Sequence, residues 1–181
     1  MLNALHQARE RFPFHLYALC IMSNHVHYLI KPDDPAQLPR IMHYSNWYSA
    51  MCFNRMLKRT GHFWEGRYRS TSFPEHEQQR ALNTLRYIHA NPKTAGMRKS
   101  YFYAYSNYGI YHRLSDDGLT EWHPAFLAMA SRITPRIRPP RRHLHRRQCL
   151  TVRAMRKTGL RGRESGYTLA AFQVVRYPPQ N

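Results

Sequence analysis

Two histidines, His25 and His27, are separated by a single residue in the segment SNHVHYLIKP. If this segment is a strand, its side chains alternate between two faces, so both imidazoles share one face and Val26 points into the core. Neutral imidazoles are common ligands for divalent cations. Because the chain contains 12 histidines, this pair alone is weak evidence, and a metal site also needs a third ligand.

Tyr87 and Asn91 could complete such a site, because residues four apart share one face of a helix. An amide carbonyl oxygen suits Mg²⁺ or Mn²⁺, so Asn91 could be the third ligand. A metal held by these residues would polarise a phosphate oxygen while the Tyr87 phenol attacks the phosphorus. From spacing alone, however, a buried helix tyrosine is the simpler interpretation of Tyr87.

A phenol is mostly protonated at neutral pH. The metal and a nearby guanidinium, from Arg86 or Arg67, would therefore have to favour phenolate during the attack.

Apolar periodicity and turn residues predict alternating helices and strands. The pattern predicts a short helix over 1–12, a hairpin of strands over 15–22 and 23–32, and an amphipathic helix from Leu38 to about Arg59 with a wide apolar face. Further along, it predicts a strand or broken strand pair over 62–73 with a break at Gly66, a helix from Pro74 to Ala90 that ends before Pro92, and a short helix around 123–130.

The charge of the chain indicates a polyanionic partner. Lys and Arg number 28 against 10 Asp and Glu, for a formal net charge of +18, and aromatic residues make up 13%. Positive charge beside flat rings favours nucleic acid over a membrane surface. With no apolar run long enough to span a membrane and no signal peptide, we expect a cytoplasmic, nucleoid-associated protein. The three cysteines are predicted to be free thiols.

The composition changes sharply after Ser131. Residues 132–181 contain 13 Lys and Arg but a single acidic residue, Glu164. We therefore predict a domain over 1–131 and a basic tail over 132–181 that is disordered or loosely docked.

Three blocks resemble the REP-associated tyrosine transposases, the single-tyrosine, IS200-like branch of the HUH endonuclease superfamily. They are MSNHVHYLIKP (22–32), WYSAMCFNRMLKRTGHFWEGRYRST (47–71) and LRYIHANPKTAGM (85–97). The resemblance implies an α+β fold in which helices pack on an antiparallel, ferredoxin-like sheet. It also implies that His25, His27 and Asn91 bind Mg²⁺ or Mn²⁺ and that Tyr87 is the nucleophile.

By this resemblance, the protein cleaves and rejoins single-stranded or hairpin DNA through a 5′-phosphotyrosine intermediate, as a monomer or homodimer. We expect DNA contacts from Arg67, Tyr68, Arg69, Arg86 and Lys93, while Trp47 and Trp64 could either contact DNA or pack in the core. Family members usually have a strand before the first helix. This sequence begins at that helix, which predicts a shortened fold that lacks a central strand.

Three other interpretations compete with this one. The chain could be a degenerate transposase that binds nucleic acid without cleaving it. His25-Val26-His27 could begin the motif of a histidine-triad nucleotide hydrolase, although Leu29 occupies the place of the third histidine. Cys20 and the histidines could also form a structural zinc site, for which no fourth ligand is evident.

Overall fold

The computed structural model describes residues 1–133 and 167–175, which fold into helices packed on an antiparallel sheet. The strands are β1 (Phe14–Ile21), β2 (His25–Pro32), β3 (Trp64–Pro74) and β4 (Tyr167–Val175), in the order β1-β2-β4-β3. The helices are α1 (Leu2–Arg11), α2 (Leu38–Met56), α3 (Gln78–Thr94), α4 (Tyr108–Arg113) and α5 (Pro124–Ile133), with a 3-10 turn at Pro35–Gln37. The predicted α+β class is confirmed.

Strand β2 separates two hydrophobic cores because its side chains alternate between the faces of the sheet. Val26, Tyr28 and Ile30 are fully buried in the core that contains residues of α1 and α2. Leu29 lies in the second core, with residues of α3 and α5. The sheet is thus covered by helices on both faces, and His25 and His27 belong to the face of β2 opposite Val26.

Strand β4 occupies the interior of the sheet, between β2 and β3. It pairs antiparallel with both neighbours, so that Ala171 lies opposite Tyr28 on one side and Ser70 on the other. The predicted disorder is therefore wrong for Tyr167–Val175, and the expected gap in the middle of the sheet is filled. The segment YTLAAFQVV can pair in this way because, unlike the basic stretches before it, it contains no charged residue. Helix α5 also continues to Ile133, beyond the predicted boundary. The rest of the proposed tail lies outside the described residues.

Two helices differ from their predicted bounds. Helix α3 begins at Gln78 rather than at Pro74, because Pro74 still pairs with Tyr167 at the end of β3. It also continues through Pro92 to Thr94. In the last turn a proline removes only one backbone hydrogen bond, so the helix can end beyond it.

The apolar face of α2 is narrower than predicted. Trp47, Met51 and Met56 are exposed, whereas Ser45 and Ser49 are buried against the sheet. The half-buried Trp64 explains why the serine side of α2 faces the sheet, since its indole Nε1 donates to the Asn46 carbonyl at 2.8 Å and to Ser49 Oγ at 3.2 Å. Small side chains let the helix approach this indole.

The free edge of β1 is covered by later segments. The backbone of Ser106 bridges to Cys20 and that of Thr120 bridges to Leu16, which protects an otherwise open edge. A half-buried ion cluster of His15, Asp33 and Glu121 connects β1 to the segments on either side of it. His15 Nδ1 donates to Glu121 Oε2 at 2.8 Å, and His15 Nε2 donates to Asp33 Oδ1 at 3.2 Å. These two carboxylates raise the pKa of His15 to about 9.

We predict that Ala171→Asp destabilises the protein by more than about 3 kcal/mol, because Ala171 is buried beside Tyr28 and the carboxylate would lie among the apolar side chains of the core. Urea denaturation measures this, with the exposed Ala104→Asp as the matched control. Equal unfolding free energies for the two variants would mean that β4 does not belong in the sheet.

His15 should make stability depend on pH. Because its folded pKa lies above the unfolded value of about 6.5, its stabilising effect is complete below pH 6.5 and is lost as the pH rises through about 9. Solvent screens the interaction with the half-exposed Asp33. The free energy of unfolding of the wild type should therefore exceed that of His15→Gln by about 1–2 kcal/mol at pH 6 and equal it at pH 10. Urea denaturation across this range provides the test, and a constant difference would contradict it.

Candidate functional site

His25 and His27 lie side by side at the start of β2, with their Nε2 atoms 2.9 Å apart. The Nδ1 of His25 donates to Asn24 Oδ1 at 2.6 Å. This bond fixes the His25 tautomer that carries its lone pair on Nε2. His27 Nε2 lies within hydrogen-bonding distance of this His25 nitrogen, so the two imidazoles bring like nitrogens together.

Both imidazoles favour the neutral form that a metal ligand requires. Burial, and then the neighbouring charge of His25, lowers the pKa of His27 to about 4. Burial also lowers the pKa of His25. Near neutral pH the pair therefore presents nitrogen donors rather than two positive charges.

Tyr87 is next to this pair and open to solvent. Its ring stands edge-on to the His27 ring, with centroids 5.7 Å apart, and 61% of its surface is exposed. The following residue, Ile88, faces the core and is only 2% exposed. Helix α3 thus buries Ile88 and presents Tyr87 outward, so the interpretation of Tyr87 as a buried helix tyrosine is wrong.

An open cleft of about 470 Å³ joins the histidines to the tyrosine. It is lined by His25, His27, Tyr28, Arg69, Ser70, Thr71, Thr84, Tyr87, Ile88 and Ala171. None of these lining residues is acidic, and those on the His27 face of the sheet and on α3 supply imidazole, guanidinium and hydroxyl groups. Such a cleft suits an anionic ligand.

Arg69 is positioned by strand pairing. Residue 172 of β4 pairs with His27 on one side and with Arg69 on the other, and directly paired residues share a face of the sheet. Arg69 therefore lies two strand spacings, roughly 10 Å, from His27 on the same face. The register of β3 shifts between Glu65 and Arg69, where Gly66 has φ +61°, so the predicted irregularity at Gly66 is a bulge within one strand.

The remaining predicted site residues lie outside this cleft. Asn91 donates from Nδ2 to the Tyr87 carbonyl at 3.1 Å, so it shares the helix face of Tyr87 without lining the cleft. Arg67 and Arg86 are exposed. Tyr68 packs against the core on the opposite face of the sheet, where burial raises its pKa. Lys93 Nζ lies 4.7 Å from the Tyr101 ring centroid.

A third metal ligand therefore stays a prediction. Among the described residues, no group of three or more His, Cys, Asp or Glu side chains is arranged to hold a metal ion. Cys20 lies opposite His27 in the sheet. However, burial raises its thiol pKa to about 11, which disfavours the thiolate that zinc would require. Cys20 and Cys52 are free cysteines, and Cys149 lies outside the described residues.

Sequence reasoning missed Thr84, Ser70 and Thr71, which line the cleft. Thr84 precedes Tyr87 by three residues and so shares its side of α3. Ser70 and Thr71 follow Arg69 on β3. Their only signal in the sequence is proximity to the predicted site, because serine and threonine are common on exposed surfaces.

Asn107 was also missed, although it anchors the helix that carries Tyr87. Its Oδ1 accepts hydrogen bonds from the Leu19 backbone at 2.8 Å and from His89 Nε2 at 2.9 Å. Its Nδ2 donates to the Tyr17 carbonyl at 3.3 Å and to Thr120 Oγ1 at 3.1 Å. All four hydrogen-bonding positions of this buried amide are thus satisfied. Through His89, two residues after Tyr87, the network fixes α3 against β1.

Comparison with known proteins identifies a family. The family model described as "Transposase IS200 like" matches residues 1–91, a range that includes the two histidines, Tyr87 and Asn91. No curated protein and no solved structure matches the chain. No helix in the part of the chain that the structure describes is long and apolar enough to cross a membrane.

Replacing Asn107 by alanine should lower the free energy of unfolding by about 3 kcal/mol, because it leaves buried partners on β1 and α3 without hydrogen bonds. The exposed Asn83→Ala, which removes only a surface contact with Gln79, should cost less than about 0.5 kcal/mol. Urea denaturation compares the two variants. A cost below about 1 kcal/mol for Asn107→Ala would refute its role as an anchor.

Proposed function

Because the chain belongs to the IS200-like transposase family, we propose that it cleaves and rejoins single-stranded or hairpin DNA with Tyr87 as the nucleophile. The observation that carries this proposal is the placement of an exposed tyrosine directly beside two neutral histidines. A tyrosine in the core could not reach a phosphodiester. The exposed ring of Tyr87 leaves its hydroxyl accessible to one.

The proposed reaction is a transfer of one phosphodiester. Tyr87 Oη attacks the phosphorus, the new bond is a 5′-phosphotyrosine, and the bond from phosphorus to the 3′-oxygen breaks. The phenolic proton is lost to solvent, and the leaving 3′-oxygen takes up a proton. One ester replaces another, so the free 3′-hydroxyl can attack the phosphotyrosine and rejoin the DNA without ATP.

His25 and His27, with Asn91 as the proposed third ligand, would hold Mg²⁺ or Mn²⁺. The nitrogen donors fit such an ion, because neighbouring ligands about 2.1 Å from an octahedral cation are about 3.0 Å apart and the two Nε2 atoms are 2.9 Å apart. When bound, the cation would withdraw charge from a phosphate oxygen. Asn24 orients His25 through its hydrogen bond to Nδ1.

Arg69 is the cation best placed to receive the DNA backbone. It lines the same cleft as Tyr87, and a guanidinium can bind a phosphate through two parallel hydrogen bonds. The hydroxyls of Thr71, on the same face of the sheet as His27, and of Thr84 offer further donors along the cleft. The chain's net charge of +18 draws DNA toward this surface.

A second candidate function is that of a transposase relic, which binds nucleic acid without cleaving it. Its basis is that the described residues do not bring a complete set of metal ligands together. This function predicts salt-dependent DNA binding with no covalent product, which separates it from the nuclease.

Wild-type protein incubated with labelled hairpin DNA and Mn²⁺ should form a covalent adduct that survives denaturing electrophoresis. Tyr87→Phe should form none, because it lacks the attacking oxygen. Tyr48→Phe on α2, across the sheet, should behave as wild type. If wild type binds the hairpin yet yields no adduct, the relic is the correct interpretation.

The histidine pair should bind Mn²⁺ without DNA, which calorimetry can measure. His25→Ala or His27→Ala should remove this binding, and Asn24→Ala should weaken it about tenfold by releasing the His25 ring. The exposed His62→Ala serves as the control. Unchanged affinity in both histidine variants would exclude the proposed metal site.

A further inference from the structure

A strongly aromatic and basic surface lies beside the cleft. Between residues 93 and 114 the chain has six aromatic and four basic residues and no Asp or Glu. We define the aromatic–basic surface by the exposed rings of Tyr101, Phe102 and Tyr105 together with Lys93, Arg98, Lys99 and Arg113. The ring-bearing side chains are 44%, 41% and 62% exposed, and an exposed cluster of large aromatic groups is typical of a binding surface.

The rings of this surface are held in place from beneath. Tyr108 packs under Tyr101 and Phe102, with centroid distances of 5.8 and 5.3 Å. Tyr108 in turn contacts the buried His89 at 5.7 Å. Tyr101 and Phe102 are therefore fixed to the same network that positions α3, and Tyr105 packs on Tyr103 with ring centroids 5.5 Å apart, so the rings need little ordering to bind a ligand.

Positive charges accompany these rings. Lys93 Nζ lies 4.7 Å from the centroid of Tyr101, and the Arg113 guanidinium lies 5.9 Å from that of Phe102. Rings beside cations suit a strand of nucleic acid, whose bases stack while its phosphates pair with the charges.

The surface is also at the right place relative to the cleft. The backbone amide of Ile21 donates to the Tyr105 carbonyl at 2.9 Å. Ser106 bridges to Cys20, which pairs with His27. Two strand spacings, roughly 10 Å, therefore separate this segment from His27. Arg69 lies at a similar distance on the other side of His27, so the cleft is between them.

We propose that the aromatic–basic surface stacks unpaired bases of the DNA strand whose phosphate reaches Tyr87. This inference rests on the proposed function and adds a second contact site to it. Charge disfavours the competing occupants. A second copy would bring another chain of net charge +18 against a basic surface, and residues 132–181 of the same chain are themselves strongly basic.

The test measures binding in a Tyr87→Phe background, so that no covalent step contributes. The probe is a DNA hairpin with a single-stranded flank that contains 2-aminopurine, whose fluorescence is quenched when it stacks. Phe102→Leu and Tyr105→Leu each keep apolar bulk but remove the ring, and each should weaken binding about tenfold and reduce the quenching. Tyr48→Leu on α2 is the matched control and should bind as the background protein does.

Salt dependence distinguishes the rings from the charges. The leucine variants should keep the slope of log affinity against log salt, whereas Lys99→Gln should reduce it by about 0.7. Thermal unfolding identifies any variant that loses its fold. Tyr105→Leu should affect stability least, because Tyr105 is the most exposed of the three rings.

Two results would overturn the inference. One is unchanged binding and quenching in both leucine variants. The other is unchanged binding together with a dimer, seen by sedimentation velocity, that these variants dissociate, which would make the surface a self-interface. The adduct assay is independent of both. An adduct without ring-dependent binding removes only this inference, whereas ring-dependent binding without an adduct removes only the proposed cleavage.

Discussion

Strand β2 forms hydrogen bonds on both of its edges, and this pairing sets the geometry of the whole site. Its alternation buries Val26 and Tyr28 on one face and leaves His25 and His27 on the other. A slip of one residue would exchange these faces, placing imidazoles in the core. Because burial of Val26 and Tyr28 fixes the register of β2, both histidines necessarily lie on the face of the sheet that α3 covers.

The partners of β2 extend this constraint across the sheet. On one side, β1 pairs Cys20 with His27, and the segment around Ser106 continues the row. On the other side, β4 connects His27 to Arg69. The backbone of Ser106, next to the exposed Tyr105, thus lies along one line across the sheet with His27 and the proposed phosphate ligand Arg69. Helix α3 places Tyr87 over the middle of that line, and the saturated amide of Asn107 holds the helix there through His89.

Local patterns in the sequence predicted the parts of this arrangement that depend on short-range physics. Alternation in SNHVHYLIKP predicted the strand and the shared face of the histidines, and the turn at Ser23-Asn24 predicted the hairpin. The position of Tyr87 and Asn91 on one helix followed from their spacing. These features need only the periodicity of a strand or a helix.

Features that depend on distant contacts could not be predicted in this way. The basic composition around YTLAAFQVV predicted a tail, whereas this segment is a strand whose partners lie about 100 residues or more earlier in the sequence. The apolar residues of α2 outnumber those the sheet can cover, so periodicity could not show that Trp47 is exposed and Ser49 buried. Asn107 resembles any loop asparagine until its four partners, three of them from β1 and α3, come together. Whether Asn91 completes a metal site depends on its rotamer, which spacing does not specify.

The proposed cleavage depends most on Tyr87 forming the bond to DNA. The most direct measurement is mass spectrometry of the wild-type protein after reaction with hairpin DNA and Mn²⁺, followed by digestion with nuclease and protease. We expect a nucleotide joined through its 5′-phosphate to the peptide that contains Tyr87, with the released strand ending in a 3′-hydroxyl. A phosphonucleotide on any other residue, or strand cleavage with no protein-linked nucleotide, would contradict it.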